Sequence, residues 1–166
     1  GFNSKAESVA PLMRTLRDPI ADVVEGGLLS LGRLARDGHP VEATEITPYL
    51  GHVNPLIRSN ASLVLVHATK PGQGELFLPL TAAMEDSEPA VRNHVAAALG
   101  ALGDKDAVPF LLKGLQDTKA LVRIRSAFAL ARIDDKRAVP GLIAALDDSS
   151  ADVSKAAHWD SRKTQG

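Results

Sequence analysis

The side chains whose chemistry recurs in this sequence are arginines and aspartates. Arg92 and Arg123 stand 31 residues apart, each six residues after an aspartate, Asp86 or Asp117. Arg58 stands 34 residues before Arg92. A planar guanidinium can clamp a carboxylate or a phosphate with two parallel N–H···O bonds. Such a register can therefore bind an anionic ligand. It can equally tie neighbouring segments together, with spare donors satisfying the backbone carbonyls of a packed turn. Each acid arrives with its arginine at a fixed distance, so the ladder of Asp86, Arg92, Asp117, Arg123 and Arg58 is read as structural. The register lapses at Val24 and Ser154.

Other chemistries lack their signatures. The histidines are His39, His52, His67, His94 and His158, and no two share the four-residue spacing of a helical metal site. There is no Cys, hence no thiol nucleophile, zinc-thiolate site or disulfide framework. No phosphate-binding P-loop, nucleophile elbow or dinucleotide fingerprint occurs. No catalytic residue, metal ligand or cofactor is assigned. The net charge of −1 does not supply the concentrated basic surface that nucleic acid demands. No apolar run reaches the ~18 residues of a membrane span. No basic start leading into an apolar run marks a signal peptide, and a cytoplasmic protein is the expectation. Gly1 to Ser4 reads as an appended or frayed end.

The elements that must position these residues repeat. Residues 86–116 are followed at once by a near copy, 117–147, at an offset of 31. Val91 falls on Val122, Leu99 on Leu130, Asp104 on Asp135 and Pro109 on Pro140. Self-similarity at this period marks a repeat architecture. Weaker copies precede it at 52–85 and 18–51, with the extra residues of 52–85 absorbed around Pro71-Gly72-Gln73-Gly74. Half a unit fills 5–17, another half fills 148–160, and 161–166 is a polar tail. One repeat domain over 5–160 is expected. Each unit reads as two helices. In the first, Val91, Val95, Ala98, Leu99 and Leu102 share one face, Asp86 or Ser87 can cap it, and Gly103-Asp104 break it. In the second, Val108, Leu111, Leu112 and Leu115 form the stripe, with Pro109 in the first turn. Neither helix can bury its stripe alone, so stacked pairs must share a core.

The run D-x4-V-R-x2-[small]-A-x-A-L-G is met at Asp86, Val91-Arg92, Val95-Ala96 and Ala98-Leu99-Gly100. It recurs at Asp117, Val122-Arg123, Ser126-Ala127 and Ala129-Leu130-Ala131. It resembles HEAT repeats of the short type named after phycobilisome (bilin) lyase subunits. The resemblance implies an all-α solenoid of about ten helices in antiparallel pairs, with a right-handed superhelical drift and second helices lining the concave face. It also implies a non-enzymatic scaffold that binds another protein or peptide. Candidate partner-binding residues on that face are Arg14, Arg17, Glu85, Lys113, Gln116 and Asp147. Two other readings stay open: a bilin-lyase-like subunit or chaperone for chromophore attachment, and a nucleic-acid binder like the HEAT-like DNA glycosylases. Deoxyhypusine hydroxylase, a HEAT-like iron enzyme, carries a His-Glu pair just after the Val-Arg start. The matching positions here hold Asn93-His94 and Ile124-Arg125.

One column departs from the pattern. At the Ala97 position the repeats carry Leu29, Leu63, Ala97, Phe128 and Trp159, and Ile124 lies one turn from Phe128. Packing against the adjacent repeat, or a stand-in for a missing terminal cap, is the simpler reading. The alternative makes Ile124, Phe128 and Trp159 an apolar strip that meets a partner. Past Trp159 the apolar pattern fails at Asp160 and Ser161. Leu142, Ile143 and Leu146 are expected to face that end, where either Trp159 folds over them or a second copy associates end to end.

Overall fold

A computed structural model of the chain describes residues 9–161, with side chains described through His158. The Gly1–Ser4 start, the Trp159 side chain and the tail after residue 161 lie outside the described residues. Two compact units emerge, one running to Thr69 and one from Lys70. The division falls inside the 52–85 repeat, between its two helices.

In the first unit, α1 (Val9–Thr15) packs on α2 (Ala21–Arg36), and α2 packs along α4 (Pro55–Ala68). Leu28, Leu31, Ile46, Ile57, Val64 and Leu65 are fully buried between these elements. The second helix of the 18–51 repeat is cut short. It consists of α3 (Ala43–Ile46) and a 3-10 turn, Thr47–Gly51. Pro48 has no N–H to offer the Thr44 carbonyl, so the α-helical ladder stops there. The Thr47 hydroxyl donates to that carbonyl instead, at 3.0 Å. Asn54 caps α4 by accepting the Leu56 N–H at 2.9 Å, and its amide donates to Glu25 at 2.9 Å.

The second unit repeats one motif. Helices α6 (Pro89–Leu102), α8 (Ala120–Ile133) and α10 (Ala151–Ser161) are the first helices of successive repeats. Helices α5 (Phe77–Ala83), α7 (Val108–Gly114) and α9 (Val139–Ala145) are second helices, and each packs on the first helix that follows it. Each second helix is entered through a 3-10 turn: Gly74–Leu76, Lys105–Ala107 or Lys136–Ala138. Asp104 and Asp135 start the last two turns by accepting N–H groups two residues on, each at 2.9 Å. Val91, Val95, Leu99, Leu111, Val122, Leu130 and Val153 are fully buried.

Two details set the spacing and ends of the first helices. A Cβ on Gly100 would lie 2.9 Å from both Cα and Cβ of Ala129, so α6 and α8 touch backbone to backbone there. Helix α6 ends on Gly103 at φ 73°, while Asp134 takes the same left-handed place after α8 at φ 55°. The start of α6 differs from expectation. Its N-cap is Glu88, without a side-chain cap bond. Asp86 instead holds the turn before the helix, accepting the Glu88 N–H at 2.8 Å. The described residues contain helices and turns only, arranged as antiparallel pairs, and the fold class is an all-α solenoid.

Candidate functional site

Among the expected ladder residues, Arg92 and Arg123 project from the first turns of α6 and α8 toward the link that opens the next repeat. Arg92 Nε and Nη2 donate to the two carboxylate oxygens of Asp117 at 2.6 and 2.9 Å. Arg123 does the same to Asp148, both bonds at 2.8 Å. The acid is thus the one 25 residues ahead. The aspartate six residues behind contributes its backbone carbonyl: Arg92 Nη1 donates to Asp86 O at 2.7 Å, and Arg123 Nη1 to Asp117 O at 2.9 Å. Asp148 was missed as a rung because it opens the half repeat at the end of the pattern. Arg58 Nη1 donates to the carbonyls of His52 at 3.0 Å and Val53 at 3.3 Å.

The electrostatics follow the geometry. Burial opposes ionisation of Asp117, but the Arg92 fork and the Lys119 N–H outweigh it and hold the carboxyl below its ordinary value. For Asp148 the Arg123 fork dominates, against a smaller opposing burial, and the direction is again down. Both arginines are pushed up, chiefly by the same carboxylates. A guanidinium committed in this way has little left for a free anion.

Glu85, Lys113 and Gln116 meet around a hollow of about 340 Å³ between the link after α5 and the end of α7. Lys113 Nζ donates to Glu85 Oε1 at 2.7 Å across its mouth. Met84, Phe110 and the Arg92–Asp117 pair also line it, with Asp86, Gly114 and Thr118. Phe110 stands edge-on to Phe77, with ring centres 6.0 Å apart and planes at 84°. Phe110 escaped sequence reasoning because it lies off the α7 stripe and its register mates are Pro79 and Gly141. Its bulk at an off-stripe position was the available signal. Asp147 is exposed in the link after α9.

Arg14 and Arg17 line a hollow of about 280 Å³ in the first unit, with Met13, Leu16, Glu45 and Tyr49. Tyr49 is fixed by its hydroxyl, which donates to Leu16 O at 2.9 Å. On α8, Ile124 is half-buried and Phe128 is exposed; Leu142 is buried, Leu146 half-buried and Ile143 exposed. Among the described residues no three His, Asp or Glu side chains converge as a metal site. No described helix is long and apolar enough to cross a membrane.

Comparison with known structures yields designed armadillo repeat proteins among others. An engineered protein from a structural genomics programme superposes with a TM-score of 0.71 at 19% identity, over 92% of this chain and 77% of its own. A designed armadillo repeat protein, solved in complex with the peptide (KR)4, gives 0.74 at 15% identity, over 96% and 82%. Human deoxyhypusine hydroxylase, in complex with glycerol, gives 0.62 at 23% identity, over 94% of this chain and 62% of the enzyme. At such identities the likeness is one of fold. No curated protein matches the sequence. A sequence model of HEAT repeats matches residues 77–159, half of the chain, and the chain belongs to the HEAT-repeat family.

Proposed function

We propose that this HEAT-repeat chain is a non-enzymatic scaffold that holds an extended segment of another protein against its second helices. The observation that carries the reading is the hollow bounded by Met84, Glu85, Phe110, Lys113 and Gln116. Phe110 and Met84 offer an apolar floor to one side chain. The Gln116 amide offers a donor and an acceptor, the complement of a peptide unit. The Lys113–Glu85 pair is well exposed, and pairs of that kind contribute only about 0–1 kcal/mol. It can therefore open and give either charge to a partner. Arg92 stays with Asp117 and shapes the floor.

Selection from a random peptide display library tests the proposal. Peptides enriched on the wild-type chain should lose about tenfold or more in affinity for Phe110→Ala and Gln116→Ala, the effect of removing a contact worth more than 1 kcal/mol. Both variants should keep the wild-type far-UV circular dichroism. No enrichment, or enriched peptides indifferent to both substitutions, would refute it.

A further inference from the structure

Helix α8 is packed on three sides, by α6, α10 and α7. Its remaining side carries Leu121, Arg125, Phe128 and Arg132 at intervals of four, three and four residues, one continuous stripe. All four are exposed; Leu121 shows 69% of its surface and Phe128 shows 44%. Arg125 and Arg132 make no ion pair or side-chain hydrogen bond among the described residues, in contrast with Arg123 on the same helix. The equivalent stripe of α6 reads Ala90, His94, Ala97 and Ala101. Three alanines and a histidine thus fill the same positions in the neighbouring repeat, and packing does not require the leucine and phenylalanine of α8.

We infer that the open face of α8 is a docking surface for an acidic amphipathic helix of another protein. Apolar and cationic groups alternate along the stripe at successive turns. Leu121 and Phe128 lie about 10 Å apart, as do Arg125 and Arg132, at 1.5 Å per residue. A complementary surface must interleave carboxylates and apolar side chains at the same pitch, which one face of a helix does. The two guanidiniums supply bidentate donors for those carboxylates. Phe128 is the central anchor, between the two charges. This surface is separate from the hollow around Phe110 and does not depend on that reading.

The test uses the full chain and a synthetic helical peptide as long as α8, with leucines and glutamates interleaved along one stripe. Fluorescence anisotropy should show binding that weakens with added salt, because these charges are exposed. Phe128→Ser and the pair Arg125→Glu/Arg132→Glu should each weaken it about tenfold, as for a truncated anchor or reversed contacts. Phe110→Ala should leave it unchanged. A peptide with lysines for glutamates should bind the charge-reversed chain and not the wild type. Arg125→Glu alone serves if the double variant fails to fold. The proposal is overturned if acidic and lysine peptides bind alike, if neither binds, or if the variants bind the acidic peptide as the wild type does. It is also overturned if the stripe proves to join two copies, seen as a dimer in sedimentation that Phe128→Ser dissolves. Preference for phosphatidylserine vesicles over the peptide would assign the stripe to a membrane and overturn it equally.

Discussion

Replacing Arg92 by alanine removes four hydrogen bonds at once, two to the Asp117 carboxylate and two to the carbonyls of Asp86 and Ser87. The side chains of the pair are 14% and 10% exposed. Breaking a fully buried pair costs ~3–5 kcal/mol, and an exposed pair contributes about 0–1 kcal/mol. This pair lies nearer the buried limit, yet Asp117 still accepts the Lys119 N–H at 2.8 Å after truncation. The expected loss is therefore about 2–3 kcal/mol, a fall of about 1 M in a urea midpoint for slopes near 2–3 kcal/mol/M. Arg92→Lys should recover only part of it, because an ammonium cannot span both oxygens and the carbonyls. Asp117→Asn keeps the acceptor for Lys119 and removes the charge, so a double-mutant cycle with Arg92→Ala isolates the ion pair. Lys155→Ala, which breaks a well-exposed pair with Asp152, is the control and should leave the midpoint nearly unmoved. A loss below about 0.5 kcal/mol for Arg92→Ala, or none of it coupled to Asp117, would show that the ladder does not hold the repeats together.

Acid should act on the same rungs. Asp117 and Asp148 have folded values below their ordinary 3.8, so the unfolded chain binds more protons there and stability falls as pH drops from about 4 toward the lowered values. Asp117→Asn should flatten that fall in urea melts taken across the window. Leu130→Ala, at a fully buried position, should cost ~2–5 kcal/mol by the same assay. Gly100→Ala places a methyl 2.9 Å from Ala129; overpacking of ~1–3 kcal/mol should exceed a helix-propensity gain of about 1 kcal/mol, giving a lower midpoint. Asp134→Gly should raise stability by up to about 1 kcal/mol, and the midpoint with it, because it relieves a left-handed conformation that the preceding repeat gives to Gly103.

The helix pairs were legible because burial on one face leaves a period that survives in a single sequence. Val91, Val95, Ala98 and Leu99 announce α6, and their 31-residue echoes announce α8. The rung partner of each arginine was not legible, because it is set by how one repeat lies on the next. The column Arg92, Arg123 is visible in one dimension; that its acid stands 25 residues ahead is a property of stacking. The shortness of α3 also escaped, although Pro48 carried the signal. The hollow around Phe110 escaped for a different reason. It combines a link of one repeat with the second helix of the next, so no spacing within a repeat encodes it.

What packing requires can be separated from what it does not by asking which property survives in every copy. At the start of each repeat, residue 18, 52, 86, 117 or 148 accepts the N–H two residues on. Four of these are aspartates, and the fifth is His52, whose ring nitrogen takes the Asn54 N–H at 3.0 Å. The turn therefore needs an acceptor and does not need a carboxylate. At Asp117 and Asp148 the charge has a second use, since it receives an arginine from the repeat before. Where the carboxylate is absent at His52, the arginine position before it holds Val24, and neither partner is left alone. Turn and ladder are thus satisfied separately: Asp18 serves the turn alone, whereas Asp117 and Asp148 serve both. The α8 stripe obeys no such pairing. Phe128 and Leu121 expose apolar surface that Ala97 and Ala90 avoid, and Arg125 and Arg132 add charge that meets no acid among the described residues. A continuous stripe of alternating apolar and cationic groups, with no counterpart among the described residues, points outward to where that counterpart is found.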